Sequence, residues 1–355
     1  MSWSADRLAA RLADYPRARV AVLPTPIHRL ERFADALGSG FEQCELWIKR
    51  DDMTGFEGGG NKTRKLEFLA GDALERGADT LVTIGAIQSN HTRQTAAVAA
   101  AIGLRCALLH FAWSEDAGPH YRQVGNLLLS HLMGADLHVE ETPRPIEDQG
   151  PLEGFCEQLR REGRRPYAIP GGASEHRLGS LGYVACALEI ARQSEALERP
   201  FDRIVHCTGS SSTQAGLLAG FAALGVSMRV TGVADDEETE IKQRRVRVLA
   251  NETLEMLGAA ARVGPGDVEV LAVDQSPYGK AEDATLDGIR LLAKTQGLVA
   301  DPVYEGKAVR GLMELARRGS LMRGERVLLM HLGGAPALHA YANQFGQPEL
   351  RRFVP

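Results

Sequence analysis

A glycine-rich run with two lysines carries the clearest chemical signal in the 355-residue chain. Residues 58–65 read GGGNKTRK, and the glycines allow the backbone to approach a ligand closely. Lys62 lies near the start of a predicted helix, where the positive end of the helix dipole disfavours an ammonium group. Because a lysine is nucleophilic only after it loses its proton, this setting predicts a reactive amine at Lys62. The same residues also fit a glycine-rich turn with a solvent-facing lysine, and they lack the spacing of a P-loop.

A second polar loop, residues 85–92 (GAIQSNHT), follows a predicted strand and opens a predicted helix. Ser89, Asn90 and His91 would lie beside free backbone N–H groups at the helix start. That arrangement suits a carboxylate ligand. The alternative is ordinary N-capping of the helix by Ser89 or Asn90.

A third loop, residues 208–216 (TGSSSTQAG), is also placed between a predicted strand and a predicted helix. Small hydroxyl residues and exposed amides at a helix N-terminus suit a phosphate group. Because the loop contains no basic residue, we expect its amides and hydroxyls to provide the binding. The competing interpretation is a serine-rich turn with an N-cap.

The elements that must position these loops alternate between short apolar strands and longer amphipathic helices. The strands are predicted at 46–49, 80–84, 106–109, 203–207, 228–233 and 327–330, and the helices at 65–76, 92–101 and 214–224. This alternation predicts an α/β fold with parallel sheets covered by helices, in which ligands bind at the carboxyl ends of strands. Two C-terminal segments, 301–307 (DPVYEGK) and 331–337 (HLGGAPA), add glycines that indicate close packing.

Composition and the absence of certain sequence motifs argue against several other classes of protein. The formal net charge of −5 and the lack of a basic stripe argue against a nucleic-acid partner. The five scattered cysteines include no CxxC pair, which favours reduced thiols in a cytoplasmic protein without a metal site. Neither a signal-peptide core nor a run of about 18 apolar residues is present, so no membrane association is expected. No GxGxxG follows the first strand, which argues against a dinucleotide oxidoreductase.

Taken together and in order, the motifs resemble those of one enzyme family. They are IKRDD, GGGNKTRKLEFL, GAIQSNHTRQTAAVAA, DPVYEGK and HLGGAPAL. The chain resembles the fold-type II pyridoxal phosphate (PLP) enzymes of the 1-aminocyclopropane-1-carboxylate (ACC) deaminase / D-cysteine desulfhydrase family. The resemblance implies a two-domain, tryptophan synthase β-like α/β fold with parallel twisted sheets flanked by helices. PLP would lie between a larger domain (1–64 and 171–355) and a smaller one (65–170), in a homodimer or higher homo-oligomer acting on a small amino acid.

The resemblance also assigns roles by position. It assigns the cofactor to Lys62, Lys65, Asn90, Ser210, Ser211, Ser212, Thr213, Glu305 and Leu332, with Lys62 forming the Schiff base. It assigns the substrate to Ser89, Asn90, His91 and Trp113, and catalysis to Lys62, Ser89, Tyr278 and Tyr304. Within the loop 208–216, the hydroxyl residues match the phosphate-binding positions. Glu305 matches the residue that faces the pyridine nitrogen.

Two reactions remain open within this family. Glu305 and Leu332 resemble the deaminases, whereas His91 resembles the desulfhydrases. A carboxylate at the pyridine nitrogen favours a cationic ring and a deeper electron sink, which opening a cyclopropane ring requires. The sequence therefore predicts an ACC deaminase that yields 2-oxobutanoate and ammonia. The alternatives are a D-cysteine desulfhydrase or a related β-substituted alanine lyase, and a PLP-binding protein without turnover.

Overall fold

The structure is a computed structural model that describes residues 2–38, 41, 44–114, 118–142, 144–174, 176–197, 199–235, 237–347 and 349–353. Its strands are β1 (Ile27–Arg29), β2 (Glu45–Arg50), β3 (Thr80–Ala86), β4 (Arg105–Phe111), β5 (Asp136–Glu140), β6 (Pro166–Ile169), β7 (Arg203–Thr208), β8 (Arg229–Ala234), β9 (Glu269–Leu271) and β10 (Arg326–His331). Its helices are α1 (Ala5–Ala13), α2 (Glu31–Leu37), α3 (Asn61–Glu75), α4 (Asn90–Ile102), α5 (Gly125–Leu132), α6 (Gly150–Arg161), α7 (Arg177–Ala196), α8 (Ser212–Leu224), α9 (Thr239–Leu257), α10 (Asp283–Gln296), α11 (Glu305–Arg317) and α12 (Ala335–Leu338).

The larger sheet has six strands in the order β1-β2-β10-β7-β8-β9. Among the pairings of these described strands, that of β1 with β2 is antiparallel and the others are parallel. Every residue of β7 and β10 is buried, because helices cover both faces of the sheet. That is why these strands read as nearly continuous apolar runs in the sequence.

The smaller sheet has four parallel strands in the order β5-β4-β3-β6. The central strand β3 is buried throughout and pairs Val82 with Ala107 on one side and with Ala168 on the other. The predicted fold, with parallel sheets flanked by helices, is confirmed. The domain boundaries at 64/65 and 170/171 stay a prediction.

All three predicted helices begin earlier than expected. Helix α3 begins at Asn61 rather than at residue 65, α4 at Asn90 rather than at residue 92, and α8 at Ser212 rather than near residue 214. Their first turns carry polar side chains, so the apolar spacing that predicts a helix starts only in the second turn. Gly60 precedes α3 with a φ of 126°, a value that a side chain rarely allows. The earlier start places Lys62 within the first turn of the helix.

A buried ionic network anchors α3 beneath the point where β2 ends. The Arg64 guanidinium is 1% exposed and donates to Asp51 through Nε and Nη2, at 2.8 Å each. It also donates to both carboxylate oxygens of Glu189 on α7, at 2.9 and 3.0 Å. Lys49 Nζ reaches Glu189 at 2.6 Å, and the Tyr183 hydroxyl donates to Asp51 at 2.7 Å. The network thus ties β2, α3 and α7 together.

Three general features of the described residues bear on the class of protein. No helix among them is long and apolar enough to cross a bilayer. Within the same residues, no group of three or more His, Cys, Asp or Glu side chains is placed to hold a metal ion. The five cysteines are free thiols, and all except Cys44 are buried.

Candidate active site

A cavity of about 730 Å³ opens at the carboxyl ends of strands from both sheets. The loops that follow β3, β7 and β10 meet there with the first turn of α3. The predicted site residues that line it are Lys62, Ser89, Asn90, His91, Trp113, Ser210, Ser211, Thr213, Tyr278, Tyr304, Glu305 and Leu332. Lys65 and Ser212 lie directly behind this wall and are fully buried. Loops far apart in the chain therefore form one site.

Lys62 projects into the cavity wall from the first turn of α3. Its Nζ lies 3.3 Å from Ser210 Oγ. Burial lowers the pKa of Lys62 to about 8, although Cys207, Asp235 and Glu305 oppose the shift. A larger fraction of this amine is therefore neutral at physiological pH than for an exposed lysine. The structure thus gives Lys62 the position of a nucleophile rather than that of a solvent-facing lysine.

Lys65 gives the serine-rich loop the basic side chain that the loop itself lacks. Its Nζ donates to Ser210 Oγ at 3.0 Å and to Ser212 Oγ at 2.8 Å. Burial, and then the nearby Lys62, hold the pKa of Lys65 well below its ordinary value. The loop is therefore not built of amides and hydroxyls alone, because α3 brings an amine into it. Which of these groups provide the binding stays a prediction.

The same place fits a phosphate group. Among the described residues, neither Lys62 nor Lys65 forms an ion pair with a carboxylate, although both lie inside the protein. Thr208 Oγ1 is buried there without a hydrogen-bond partner in the described part of the chain. Buried amines and hydroxyls without an anion are the complement of a phosphate. The site residues present therefore fit the phosphate of PLP.

Ser89 both caps α4 and lines the cavity. Its Oγ accepts from the backbone N–H groups of His91 at 3.2 Å and Thr92 at 3.3 Å. The N-capping interpretation is thus correct for Ser89, and it does not exclude a ligand, because the hydroxyl proton can still be donated. Asn90 is held by a 2.7 Å hydrogen bond from Asn126 Nδ2 to its Oδ1.

His91 is a neutral acceptor at the cavity wall. Thr83 Oγ1 donates to the carbonyl of Ile169 at 2.7 Å, so it accepts the 2.9 Å hydrogen bond from His91 Nε2. The other ring nitrogen, Nδ1, is buried and lacks a partner among the described residues. Burial, followed by the charges of Lys62 and Lys65, holds the pKa of His91 well below its ordinary value. The ring therefore offers a lone pair and no positive charge.

Three aromatic side chains form another wall. The rings of Tyr278 and Tyr304 are nearly perpendicular, with centroids 6.1 Å apart, and Trp113 packs edge-on against Tyr278 at 5.3 Å. The Trp113 indole is held by a 2.8 Å hydrogen bond to the Arg144 carbonyl. Burial raises the pKa of both phenols well above the usual value. The phenol of Tyr304 adds to this shift for Tyr278, and the carboxylate of Asp235 adds to it for Tyr304. Both phenols therefore keep their protons at neutral pH.

Glu305 presents a buried carboxyl group at the start of α11. It is 4% exposed, and burial together with Asp301 raises its pKa well above the usual value. The backbone N–H of Leu332 faces this carboxyl group. Asp301, which the sequence analysis did not select, accepts from the backbone N–H groups of Val303 and Tyr304 at 2.9 Å each. Its position just before a helix is the signal that could have found it.

The cavity rim contains charged residues that the sequence analysis missed. Lys242 on α9 pairs with Glu237 at 2.9 Å and donates to the carbonyl of Gly209. Arg245 pairs with Glu237 and with Glu147 on the opposite rim, both at 2.9 Å. Glu237 follows β8 and so obeys the strand-end rule, whereas nothing in the sequence pattern singles out Arg245 or Glu147.

The likeness to known proteins covers nearly the whole chain. A family model described as pyridoxal-phosphate dependent enzyme matches residues 18–333. The 1-aminocyclopropane-1-carboxylate deaminase of Burkholderia vietnamiensis is 43% identical over 336 residues, covering 94% of this chain and 98% of that protein. The protein of the same name from Burkholderia ambifaria (strain ATCC BAA-244) is 44% identical over 337 residues, again 94% and 98%.

Solved structures agree with this. The crystal structure of an ACC deaminase homologue superposes with a TM-score of 0.84 at 38% identity, covering 95% of this chain and 98% of that chain. A PLP-dependent aspartate racemase shares the fold alone, with a TM-score of 0.64 at 16% identity and coverage of 93% and 94%. The resemblance inferred from the motifs is thus confirmed, and the chain belongs to the pyridoxal-phosphate dependent enzyme family.

Proposed function

We propose that the protein is an ACC deaminase, which opens the cyclopropane ring of its substrate and releases 2-oxobutanoate and ammonia. The observation that carries the proposal is the buried Glu305 carboxyl group, which shares the cavity wall with Lys62 and Leu332. The relatives at 43–44% identity are named for this activity, which supports the proposal.

Residues of three loops would hold PLP. Lys62 would carry it covalently, while Lys65, Ser210, Ser212 and the hydroxyls beside them would hold its phosphate. Glu305 would face the pyridine nitrogen, where its carboxyl group holds or shares a proton because of its raised pKa. When bound, PLP supplies the electron sink for the negative charge that develops on the substrate.

The start of α4 would receive the substrate carboxylate. Ser89 can donate its hydroxyl proton, and Asn90 is fixed beside it by Asn126. His91 would have another role, because its unpartnered Nδ1 is an acceptor and cannot donate to a carboxylate. It would accept from a proton-bearing group of the substrate, such as its amine.

The aromatic wall would supply protons at the substrate ring. Tyr278 and Tyr304 stay protonated at neutral pH because burial raises the pKa of each, so both suit a proton donor better than an ionised nucleophile. Trp113 packs edge-on against Tyr278 and would limit the access of water to it. Lys62, once released from the cofactor, would be the group able to accept a proton, because its pKa is about 8.

The second candidate is β-elimination from D-cysteine, giving pyruvate, sulfide and ammonia. The observation that favours it is His91 at the cavity wall, a position at which the sequence resembles the desulfhydrases. Expelling a thiolate needs a weaker electron sink than opening a carbon ring, so a carboxyl group at the position of Glu305 is not required for it.

The test is keto-acid release by the purified, PLP-loaded protein, with ACC and D-cysteine offered separately. The proposal expects 2-oxobutanoate from ACC, and a shift toward D-cysteine in the Glu305→Ser/Leu332→Thr double variant. Pyruvate and sulfide from D-cysteine with ACC inert would overturn it in favour of the second candidate. Bound PLP with no product from either amino acid would indicate a PLP-binding protein without this turnover.

A further inference from the structure

The two tyrosines of the cavity wall belong to a group of four neighbouring phenols. Behind Tyr278 and Tyr304 lie Tyr121, just before α5, and Tyr341, in the short helical segment after α12. The rings of Tyr121 and Tyr341 have centroids 5.7 Å apart. Both are nearly inaccessible, at 5% and 1% exposure, and neither lines the cavity. The four neighbouring phenols therefore extend from the cavity wall into the interior of the protein.

Tyr121 and Tyr341, called here the outer pair because they lie outside the cavity wall, are packed directly against the segment that carries Tyr278. A Cβ on Gly279 would lie 3.2 Å from Cε1 of Tyr341, so that ring touches the backbone next to Tyr278. Gln344, on the same segment as Tyr341, donates to the carbonyl of Gly279 at 2.8 Å. The two segments are thus fixed to each other, and the Tyr278 ring packs on the same apolar cluster as Tyr121 and Tyr341.

The outer hydroxyls have no other partner within the described residues. The hydroxyl oxygens of Tyr121 and Tyr341 are buried and lie near each other, and no other described group forms a hydrogen bond with them. A buried hydroxyl without a well-formed hydrogen bond costs free energy, so these two phenols retain the capacity to bind a further polar group. Here the polar groups around Tyr341 are the phenols of Tyr121 and Tyr278 and the carboxyl group of Asp301.

We propose that Tyr121 and Tyr341 are positioning residues for Tyr278, which their hydroxyls orient and hydrogen-bond when the site is engaged. The proposal rests on the proposed function, in which Tyr278 acts at the substrate. A phenol both donates and accepts, so the outer pair can follow Tyr278 whether its oxygen carries the proton or the negative charge. Because burial keeps the pKa of Tyr341 well above the usual value, Tyr341 stays protonated at neutral pH and can donate to the Tyr278 oxygen.

One experiment observes Tyr278 without turnover. A fluorotyrosine at position 278, followed by fluorine NMR in PLP-free and PLP-loaded protein, reports its ionisation as pH rises. In Tyr341→Phe and Tyr121→Phe, the loss of a donor to the phenolate should raise the pKa at position 278. The matched control is Tyr167→Phe, which removes a buried hydroxyl that donates to Asp72 at 2.6 Å, outside the cavity wall.

The same variants are assayed with ACC. Each outer variant should lower kcat about tenfold with KM little changed, as expected for the loss of one hydrogen bond made in the transition state. Tyr167→Phe should leave kcat unchanged, even if it lowers the denaturation midpoint as much as Tyr121→Phe and Tyr341→Phe do. An unmoved fluorine resonance at position 278 in both outer variants would overturn the inference. If ACC is inert with the unaltered enzyme, the proposed function fails, and the resonance still decides whether the outer hydroxyls act on Tyr278.

Discussion

Replacing Asp51 by Asn tests whether the ionic network beneath α3 holds the site in place. The change keeps the shape of the side chain, removes its charge, and turns one acceptor of Arg64 and Tyr183 into a donor. Arg64 would then share Glu189 with Lys49 as the sole carboxylate of this network. Breaking one partner out of a buried pair costs about 3–5 kcal/mol, because the remaining charge stays buried.

The pH dependence gives an independent measure of the same contribution. Arg64, then Lys49 and the Tyr183 hydroxyl, outweigh burial and lower the pKa of Asp51 from 3.8 to about 2. At roughly 1.4 kcal/mol per pKa unit, this difference corresponds to about 2 kcal/mol of stability. Since the pKa is lower in the folded state, the contribution is complete above pH 3.8 and is lost as the pH falls toward 2.

The assay is urea denaturation of the wild type and Asp51→Asn between neutral pH and pH 2. We expect a free energy of unfolding about 3–5 kcal/mol lower at neutral pH, with the gap narrowing below pH 4. Asp14→Asn is the control, since its pair with Arg11 is largely exposed and should contribute little. If Asp51→Asn cost no more than Asp14→Asn, or if the gap did not depend on pH, the reasoning would be refuted.

Two further predictions concern the amines of the cavity. The PLP-free protein should form an imine with pyridoxal, which lacks the phosphate, and the extent of imine formation should have its midpoint near pH 8. The nucleophile is the neutral Lys62 amine, which becomes more abundant as the pH rises through its pKa of about 8. Absorbance at increasing pH measures this, and a midpoint near the ordinary 10.5 would contradict it. Lys65→Met should weaken PLP binding about 10- to 100-fold, the effect of losing a hydrogen bond to a charged group. Binding of pyridoxal should be unchanged in this variant, and equal losses for both ligands would mean that Lys65 does not act on the phosphate.

Among the described strands, local pattern predicted β2, β3, β4, β7, β8 and β10, with the loops that carry the site, and missed the strands β1, β5, β6 and β9. The runs around Val82, Val205 and Leu328 are apolar because helices cover both faces, and their short length between turn residues predicts strands. Parallel strands place their carboxyl ends together, which is why loops found separately line one cavity. The remaining assignments, such as Tyr278 and Glu305, depended on the family motifs rather than on spacing.

Contacts between distant segments could not be predicted in this way. Lys65 contacts Ser212, which lies 147 positions further along the chain, and the local sequence around either residue does not predict this contact. Arg245 and Glu147 pair across the rim from segments whose local sequence resembles any solvated helix or loop. Tyr121 and Tyr341 are likewise ordinary core tyrosines until the fold brings them behind Tyr278.

The strand order of the larger sheet has a consequence for how the chain folds during synthesis. Strands β1 and β2 lie early in the chain, but β2 pairs on its other side with β10. The pairing of Leu46 with Val327 therefore cannot form until β10 has been synthesised. The smaller sheet is formed from the continuous stretch between β3 and β6 and can assemble before the ribosome has made the rest. Closing the larger sheet requires one of the longest loop closures in the chain, and such non-local pairing is slow. The loop after β10, with Leu332, is therefore among the last parts of the site to be put in place.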